Sequence, residues 1–196
     1  MWSARQHCLA AWHVLATRPG PVVANLSTTA ALDEVGRRFN CPVLRTKIGE
    51  ANVTERMVAE RAVIGGEGNG GVIYPSINFA RDSQVGMALI LHLLAASGKT
   101  VSGLVADLPR FVMIKEKLAC PSNRIPDVLR MVKRDFAHLP MDTRDGVKVM
   151  LPNGWFHVRG SNTEPIIRVV AEGPSQTEAR DVVNDVFARV AAIVRG

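Results

Sequence analysis

Three short apolar segments in the first third of the chain constrain its fold more strongly than any other feature. Residues 22–26, 42–45 and 62–64 contain the Val, Leu and Ile side chains typical of buried strands. Apolar residues at helical spacing fill the two intervals between them, at Leu32, Val35, Phe39, Val53 and Met57. Strands and helices that alternate at this pace predict a three-layer α/β unit with a parallel or mixed sheet.

Two more helices are expected around this alternation. The first twenty residues can form a helix that docks through Trp2, Trp12 and Leu15 and ends at a Pro-Gly-Pro sequence. Residues 82–96 have apolar side chains on nearly every face, which predicts a largely buried helix.

The pattern changes near residues 117–123, where a Cys-Pro-Ser-Asn sequence is typical of a linker. The elements expected after it are one helix and three strands, at 125–136, 147–151, 155–158 and 166–171. A capping box from Ser175 to Glu178 begins the last helix, because each of its two side chains can bind an amide of the first turn. We therefore expect an α/β unit over residues 1–118 and a smaller α+β unit over 119–196, with an antiparallel sheet and two helices.

Charge and cysteine content restrict the partners and the compartment. The 196 residues include 24 Lys and Arg against 18 Asp and Glu, a formal charge of +6 that favours anionic ligands. The basic residues are scattered without an aromatic-rich stripe, so nucleic-acid binding is not expected. The longest apolar run, residues 87–94, is too short to cross a membrane. Three widely spaced cysteines lack zinc-site spacing and predict reduced thiols in a cytoplasmic protein, with no metal site.

The first candidate site is a glycine-rich segment, residues 65–71 (GGEGNGG), which contains a GxGxxG pattern. A dinucleotide site would need a helix directly after the pattern, whereas an extended segment ending at Pro75 follows here. What remains is a loop that allows close approach and contains Glu67 and Asn69, whose oxygens and amide suit paired sugar hydroxyls. The alternative is a tight turn in which the glycines only permit positive φ.

The second candidate site is the polar connection between the strands expected at 155–158 and 166–171. The run from Arg159 to Arg168 offers a guanidinium, a glycine amide, two hydroxyls and a side-chain amide, from Arg159, Gly160, Ser161, Thr163 and Asn162. An arginine can bind two oxygens of a phosphate at once, and hydroxyls and amides donate to the others. The alternative is a polar hairpin with a chance arginine.

These segments resemble a known family. Residues 159–165 (RGSNTEP) look like the phosphate-binding loop in the last domain of the α-D-phosphohexomutases, which include phosphoglucosamine mutases, phosphomannomutases and phosphoglucomutases. Residues 65–71 resemble the sugar-binding loop in its archaeal-type variant. Residues 25–28, 45–50 and 80–82 are similar to the same branch. The motif order is kept over roughly residues 18–196, which leaves residues 1–17 unmatched and favours a broken or misassigned start.

The resemblance implies a four-domain enzyme of which this chain is the C-terminal half, with domains III and IV. It implies that the residues of the second candidate site hold the phosphate that is not transferred. It also implies that Glu67 and Asn69 hold sugar hydroxyls and that Lys47 lines the site. Gly71 and Glu50 stand where many bacterial members have histidine, which fits the archaeal-type branch.

Two family motifs are missing from the sequence. They are the serine loop that becomes phosphorylated and the aspartate-rich loop that binds Mg²⁺. Phosphoryl transfer needs an in-line nucleophile and a cation, so no catalytic residue is expected here. The resemblance places the Mg²⁺ ligands outside this chain and implies a partner, either the missing N-terminal half (domains I and II) or a separately encoded equivalent.

The sequence thus predicts the substrate-binding half of a mutase that moves phosphate between O1 and O6 of a hexose, with glucosamine phosphate as the first expectation. Alone, the chain is expected to be inactive. The alternatives are a non-catalytic sugar-phosphate-binding module and half of a phosphomannomutase or phosphoglucomutase. Nucleic-acid binding through the +6 charge would instead show steep salt dependence.

Overall fold

The computed structural model describes residues 2–161 and 163–195, with side chains from Arg5 onward. It contains two compact units, Met1–Arg110 and Phe111–Gly196, here called the first and second units. The sequence placed the division after residue 118, and the structure places it earlier.

The first unit contains five helices and a four-stranded sheet among its described residues. In chain order these are α1 (Trp2–Thr17), β1 (Val22–Asn25), α2 (Ala31–Arg38), β2 (Val43–Thr46), α3 (Glu50–Ala59), β3 (Ile64–Gly66), β4 (Val72–Ile73), α4 (Ser83–Ser97) and α5 (Val101–Ala106). The strand order is β2-β1-β3-β4. β1 is parallel to both neighbours, and β4 is antiparallel to β3. The prediction of a mixed α/β sheet is confirmed.

Two adjacent glycines of β3 show how the layers are arranged. A Cβ on Gly65 would point at Met57 of α3, whereas a Cβ on Gly66 would point at His7 of α1. Successive residues of a strand face opposite sides of the sheet, so α1 and α3 cover opposite faces. All four residues of β1 are buried as a result, which explains why the first three are apolar.

The helix α4 is less buried than its sequence predicts. Asp82 caps it, because its carboxylate accepts hydrogen bonds from the amides of Gln84 and Val85. Only Gly86 and Leu93 are fully buried, however, and Leu91 is 65 % exposed. The expectation of a largely buried helix is therefore wrong for this chain, because α4 contacts α1 and β4 on one side only. None of the helices in the described ranges has the length and apolar character needed to span a bilayer.

The second unit is an antiparallel sheet with two α-helices. Its elements are β5 (Val112–Ala119), α6 (Ile125–Asp135), β6 (Met141–Asp142), β7 (Val147–Leu151), β8 (Gly154–Gly160), β9 (Ile166–Gly173) and α7 (Gln176–Arg195), with a short 3₁₀ turn before α6. The strand order is β5-β9-β8-β7-β6. The α+β prediction is confirmed, and the Ser175 hydroxyl accepts from the amide of Glu178 (3.2 Å) as the capping box requires.

The strand β5 was missed by the sequence analysis, and it moves the boundary between the units. It pairs with β9 along its whole length, from Val112 opposite Gly173 to Ala119 opposite Ile166. Val112, Met113 and Ile114 are apolar, but the charged residues 115–117 interrupt the pattern expected of a buried strand. The change of pattern expected near residues 117–123 therefore comes too late, because residues 112–119 already form an edge strand of the second unit.

The docking of α1 includes an unusual buried histidine. Leu15 is buried as expected, and Trp12 is partly buried under the guanidinium of Arg38; the expected contact of Trp2 lies outside the described side chains. His7 is fully buried, and neither ring nitrogen has a hydrogen-bond partner among the described residues. Burial, with a smaller contribution from the positive charge of Arg45, lowers the pKa of His7 to about 4.

This histidine should make the first unit sensitive to acid. Unfolded histidine has a pKa near 6.5, so the unfolded chain takes up a proton at His7 before the folded one does. The free energy of unfolding should therefore fall as the pH drops from about 6.5 to about 4, by up to roughly 3 kcal/mol. Urea unfolding at several pH values, followed through the amide signals of β1, measures this loss.

His7→Met should flatten that part of the pH curve, since it removes the titrating group. His138→Met, at an exposed histidine, is the matched control and should keep the wild-type slope. Parallel curves for the wild type and His7→Met would show that the acid sensitivity arises elsewhere.

Candidate functional site

The glycine-rich segment connects β3 to β4 at one edge of the first unit's sheet. Its turn is closed by hydrogen bonds from the Glu67 amide to the Gly71 carbonyl (3.2 Å) and from the Gly70 amide to the Glu67 carbonyl (3.0 Å). Within the segment only Gly70 has a positive φ, of 96°. The turn alternative, in which glycines only permit positive φ, therefore accounts for Gly70 and for no other glycine of this segment.

Other glycines in this segment permit close approach. A Cβ on Gly66 would lie 2.9 Å from the His7 ring, and a Cβ on Gly68 would lie 2.7 Å from the Ser27 carbonyl oxygen. A Cβ on Gly71 would overlap the side chain of Arg81. The glycine pattern thus lets neighbouring parts of the same unit pack against the loop.

The carboxylate of Glu67 lies inside this packing, with only 8 % of its side chain exposed. Its Oε1 accepts hydrogen bonds from Asn25 Nδ2 and from the backbone amide of Gly49, both at 3.1 Å. Its Oε2 forms an ion pair with Arg81 Nη1, also at 3.1 Å. Donors from three separate connections therefore hold one buried charge, which is the condition for burying a carboxylate without a large penalty.

Arg81 also binds a second carboxylate. Its Nε donates to Glu50 Oε2 (2.7 Å), and its backbone amide donates to Glu50 Oε1 (3.1 Å). These hydrogen bonds lower the pKa of the Glu50 carboxyl, and the same side-chain hydrogen bond raises the pKa of the guanidinium. One cation thus links a half-exposed carboxylate at the start of α3 to a buried one after β3.

The other two residues assigned to sugar binding are exposed. Asn69 lies at the tip of the glycine loop, where its Oδ1 accepts from the amide of Gly71 (3.3 Å). Lys47 directly follows β2, so its backbone leaves the carboxyl end of a strand parallel to β1. Ligands of open α/β sheets bind beyond the carboxyl ends of the strands, which is where Asn25, Lys47 and Glu67 begin their connections.

Sequence reasoning missed three members of this cluster. Asn25 and Arg81 were noted only as parts of segments that resemble the family, and Glu50 only as a departure from its bacterial members, so none was given a role. No local pattern marks them, because they come together through contacts between residues 31 and 42 positions apart.

The second candidate site is the connection between β8 and β9. The Ser161 amide donates to the Ile166 carbonyl (2.9 Å), which closes the connection, and the Ser161 and Thr163 hydroxyls are 3.5 Å apart. Asn162 lies outside the described residues. A Cβ on Gly160 would lie 2.9 Å from Ile125, so this glycine allows the first residue of α6 to approach.

Three cations form a row across the sheet beside this connection. Arg159 on β8 lies opposite Arg168 on β9, and Arg168 lies opposite Lys117 on β5. Residues paired in this way project to the same face of a sheet, and like charges there repel each other. Burial, with a smaller contribution from the charge of Arg168, lowers the pKa of Lys115, which lies two residues before Lys117 on β5. We identify Lys117 as a member of this row, which the sequence analysis had missed.

Two of the three cations have acidic neighbours. Arg159 is only 12 % exposed, and its Nε is 3.5 Å from Asp145 Oδ1. Arg168 Nη2 is 3.0 Å from Glu164 Oε2, and both of these side chains are largely exposed. The Arg159 contact is long, and the exposed Arg168 pair is weak in water, so neither removes the capacity to bind an anion.

The described residues do not fit a metal site. Within 2–161 and 163–195, no group of three or more His, Cys, Asp or Glu side chains is arranged to hold an ion. Mg²⁺ prefers several oxygen ligands in near-octahedral geometry, which the carboxylates here do not provide.

Comparison with known proteins identifies the family. The sequence model of the phosphoglucomutase/phosphomannomutase α/β/α domain III matches residues 4–111, and that of the family's C-terminal domain matches residues 114–189. This chain belongs to the phosphoglucomutase/phosphomannomutase family. The α-D-phosphohexomutase resemblance and its restriction to the C-terminal half are confirmed. The match begins at residue 4, so the expectation that residues 1–17 fall outside the family is wrong; α1 is part of domain III.

Individual relatives show the same correspondence. A probable phosphoglucosamine mutase of Methanopyrus kandleri is 37 % identical over 166 residues, which are 84 % of this chain and 37 % of the relative. A phosphoglucomutase/phosphomannomutase of Thermococcus kodakarensis is 36 % identical over 163 residues, 83 % of this chain and 36 % of the relative. These matches confirm the similarity to archaeal-type members.

A solved structure agrees with both units. The crystal structure of a phosphoglucomutase/phosphomannomutase family protein from Burkholderia thailandensis has a TM-score of 0.79 at 26 % identity, over 97 % of this chain and 41 % of that one. The chain therefore spans about two fifths of the length of its relatives.

Proposed function

We propose that this chain is the C-terminal half of a hexose phosphate mutase and that it binds the substrate. The observation that carries the proposal is the row of Arg159, Arg168 and Lys117 beside the β8–β9 connection, in a chain whose two units match domains III and IV of the family. The row concentrates positive charge next to hydroxyl and amide donors, which is the chemistry that a phosphate dianion requires.

The β8–β9 connection holds the phosphate that is not transferred. Arg159 is partly buried on a strand, so its guanidinium is well placed for a bidentate contact. Ser161 and Thr163 present hydroxyls at the turn, and the resemblance assigns Asn162 and the Gly160 amide to the same ligand. Arg168 supplies a second guanidinium from the adjacent strand.

The glycine loop binds sugar hydroxyls. Glu67 Oε1 accepts two hydrogen bonds and Oε2 forms an ion pair with Arg81, which leaves an acceptor position at Oε2. Asn69 and Lys47 add an amide and an ammonium, both exposed to water. These groups bind the sugar hydroxyls and take no part in bond making or breaking.

The complete enzyme would move phosphate between O1 and O6 of a hexose. The Methanopyrus kandleri relative is described as a probable phosphoglucosamine mutase, so glucosamine phosphate is the first candidate substrate. In that enzyme Mg²⁺ would stabilise the charge on the transferred phosphate, with ligands and nucleophile from an N-terminal half. The cysteines Cys8, Cys41 and Cys120 are buried, which fits a cytoplasmic location, where thiols stay reduced.

Two alternatives stay open to experiment. The Thermococcus kodakarensis relative, described as a phosphoglucomutase/phosphomannomutase, favours glucose or mannose phosphates as substrates. The second alternative is a sugar-phosphate-binding module without catalysis, which would use the same two loops for binding alone.

Reconstitution distinguishes an enzyme half from a binding module. The isolated chain should show no turnover of glucosamine 6-phosphate with Mg²⁺ and a bisphosphate activator, because it lacks the serine and aspartate motifs. Turnover should appear when the N-terminal half of the Methanopyrus kandleri relative is added. Activity of the chain alone would contradict the proposal, and ligand binding without restored turnover would favour the module.

Arg159→Ala should weaken binding of hexose phosphate and inorganic phosphate alike, by about 1.5–3 kcal/mol, as expected for a hydrogen bond to a charged group. Arg159→Lys should recover only part of this, because an ammonium cannot make the bidentate contact. Arg189→Ala, at an arginine of α7 paired with Asp185, is the matched control and should bind normally. Calorimetry measures the affinities, and full rescue by lysine would mean that the site uses charge alone.

Glu67→Gln should lower the affinity for glucosamine 6-phosphate and leave the affinity for inorganic phosphate unchanged. The substitution preserves shape but replaces an acceptor oxygen with a donor, so it cannot accept a hydroxyl and pair with Arg81 as before. Glu55→Gln on the exposed side of α3 is the control. Chemical-shift titration at millimolar ligand measures both affinities, and an equal loss for the two ligands would refute separate roles for the two loops.

A further inference from the structure

We propose that Arg81 is a positioning residue for sugar binding: its guanidinium bridges Glu50 to Glu67 and thereby sets which oxygen of Glu67 is presented to a sugar hydroxyl. The inference rests on the proposed role of the glycine loop and assigns a function to residues outside that loop. It follows from three features of the cluster.

The first feature is that the path of the Arg81 side chain is constrained at both ends. Its backbone immediately precedes the Asp82 cap of α4, and its amide is held by Glu50 Oε1 (3.1 Å). Its Cδ then passes so close to Gly71 that any Cβ at that position would overlap it. The end of the glycine loop and the start of α4 therefore direct the guanidinium toward Glu67.

The second feature is the difference in solvent exposure between the two outer side chains of the cluster and the buried Glu67. The side chains of Glu50 and Arg81 are 34 % and 39 % exposed, whereas that of Glu67 is 8 % exposed. Glu50 can be solvated by water, but Glu67 depends on protein donors for its stability. Arg81 supplies the positive charge in that donor set, and Glu50 holds Arg81 in place through a 2.7 Å hydrogen bond.

The third feature is the arrangement of donors around Glu67. Asn25 and Gly49 both donate to Oε1, so they fix the carboxylate from one side. Arg81 alone, among the described residues, pairs with Oε2, where an acceptor position remains. Without Arg81, Oε1 of Glu67 would keep its two donors, but Oε2, the oxygen offered to a sugar hydroxyl, would no longer be held in place.

The planar fork of arginine matters for this role. Nε binds one carboxylate while Nη1 binds the other, a geometry that a single ammonium cannot reproduce. Lysine at this position would preserve the charge near Glu67 but would not hold both carboxylates in these directions.

The test compares four proteins: the wild type, Arg81→Met, Arg81→Lys and the control Arg56→Met, which removes an exposed arginine paired with Glu60 on α3. Chemical-shift titrations of the glycine-loop amides measure affinities for glucosamine 6-phosphate and for inorganic phosphate. Arg81→Met should lower the affinity for glucosamine 6-phosphate about tenfold and leave inorganic phosphate unchanged. Arg81→Lys should recover part of the loss, and Arg56→Met should match the wild type.

A double-mutant cycle separates positioning from a general structural effect. Once Glu67 is replaced by Gln, adding Arg81→Met should cause no further loss of affinity, because Arg81 acts through Glu67. A purely structural role would instead lower the affinity again in the double mutant. If Arg81→Met does not fold, Arg81→Lys takes its place in the cycle with the same expectation.

The outcomes also separate this inference from the proposed function. If Glu67→Gln itself leaves glucosamine 6-phosphate binding unchanged, the sugar-binding role of the loop fails, and the inference fails with it. If Glu67→Gln weakens binding but Arg81→Met and Arg81→Lys do not, the inference alone is overturned.

Discussion

The burial of one carboxylate organises the edge of the first unit. Glu67 is almost removed from water, so its charge requires donors, and these come from the end of β1, the start of α3 and the residue before α4. Three connections must therefore converge on the glycine loop. The glycines allow that convergence, since side chains at Gly66 or Gly71 would displace His7 or Arg81. The same convergence creates the proposed sugar-binding surface.

The second unit uses the opposite electrostatic arrangement. Its β8–β9 connection stands beside a row of cations on three adjacent strands, whose mutual repulsion is relieved only in part by Asp145 and Glu164. A bound phosphate would neutralise the remaining repulsion among these three cations. In the proposed function, the buried carboxylate of the first unit binds sugar hydroxyls, and the partly paired cations of the second unit bind phosphate. Both fit a chain that spans two of the family's domains.

The sequence predicted the fold class because local pattern and tertiary structure agree over most of the chain. Most buried residues of β1, β7 and β9 are apolar, as their sequences predict, and α7 begins at its capping box. Prediction failed where an element is stabilised mainly by a neighbour. The strand β5 has two exposed lysines and is defined by its pairing with β9. The prediction that α4 is largely buried failed for a different reason. Its sequence is apolar on nearly every face, but apolar composition does not show whether another element covers each face.

By itself, the sequence determined the order of the elements, the two candidate loops and the residue types available for binding. These follow from short-range periodicity, turn chemistry and motifs read within a few residues. Only the tertiary structure decided that Glu67 is buried, that Asn25, Gly49 and Arg81 hold it, and that Lys117 joins the arginines of the β8–β9 connection. The physical reason is that hydrogen-bond partners and strand register depend on how distant segments pack, which no local pattern encodes.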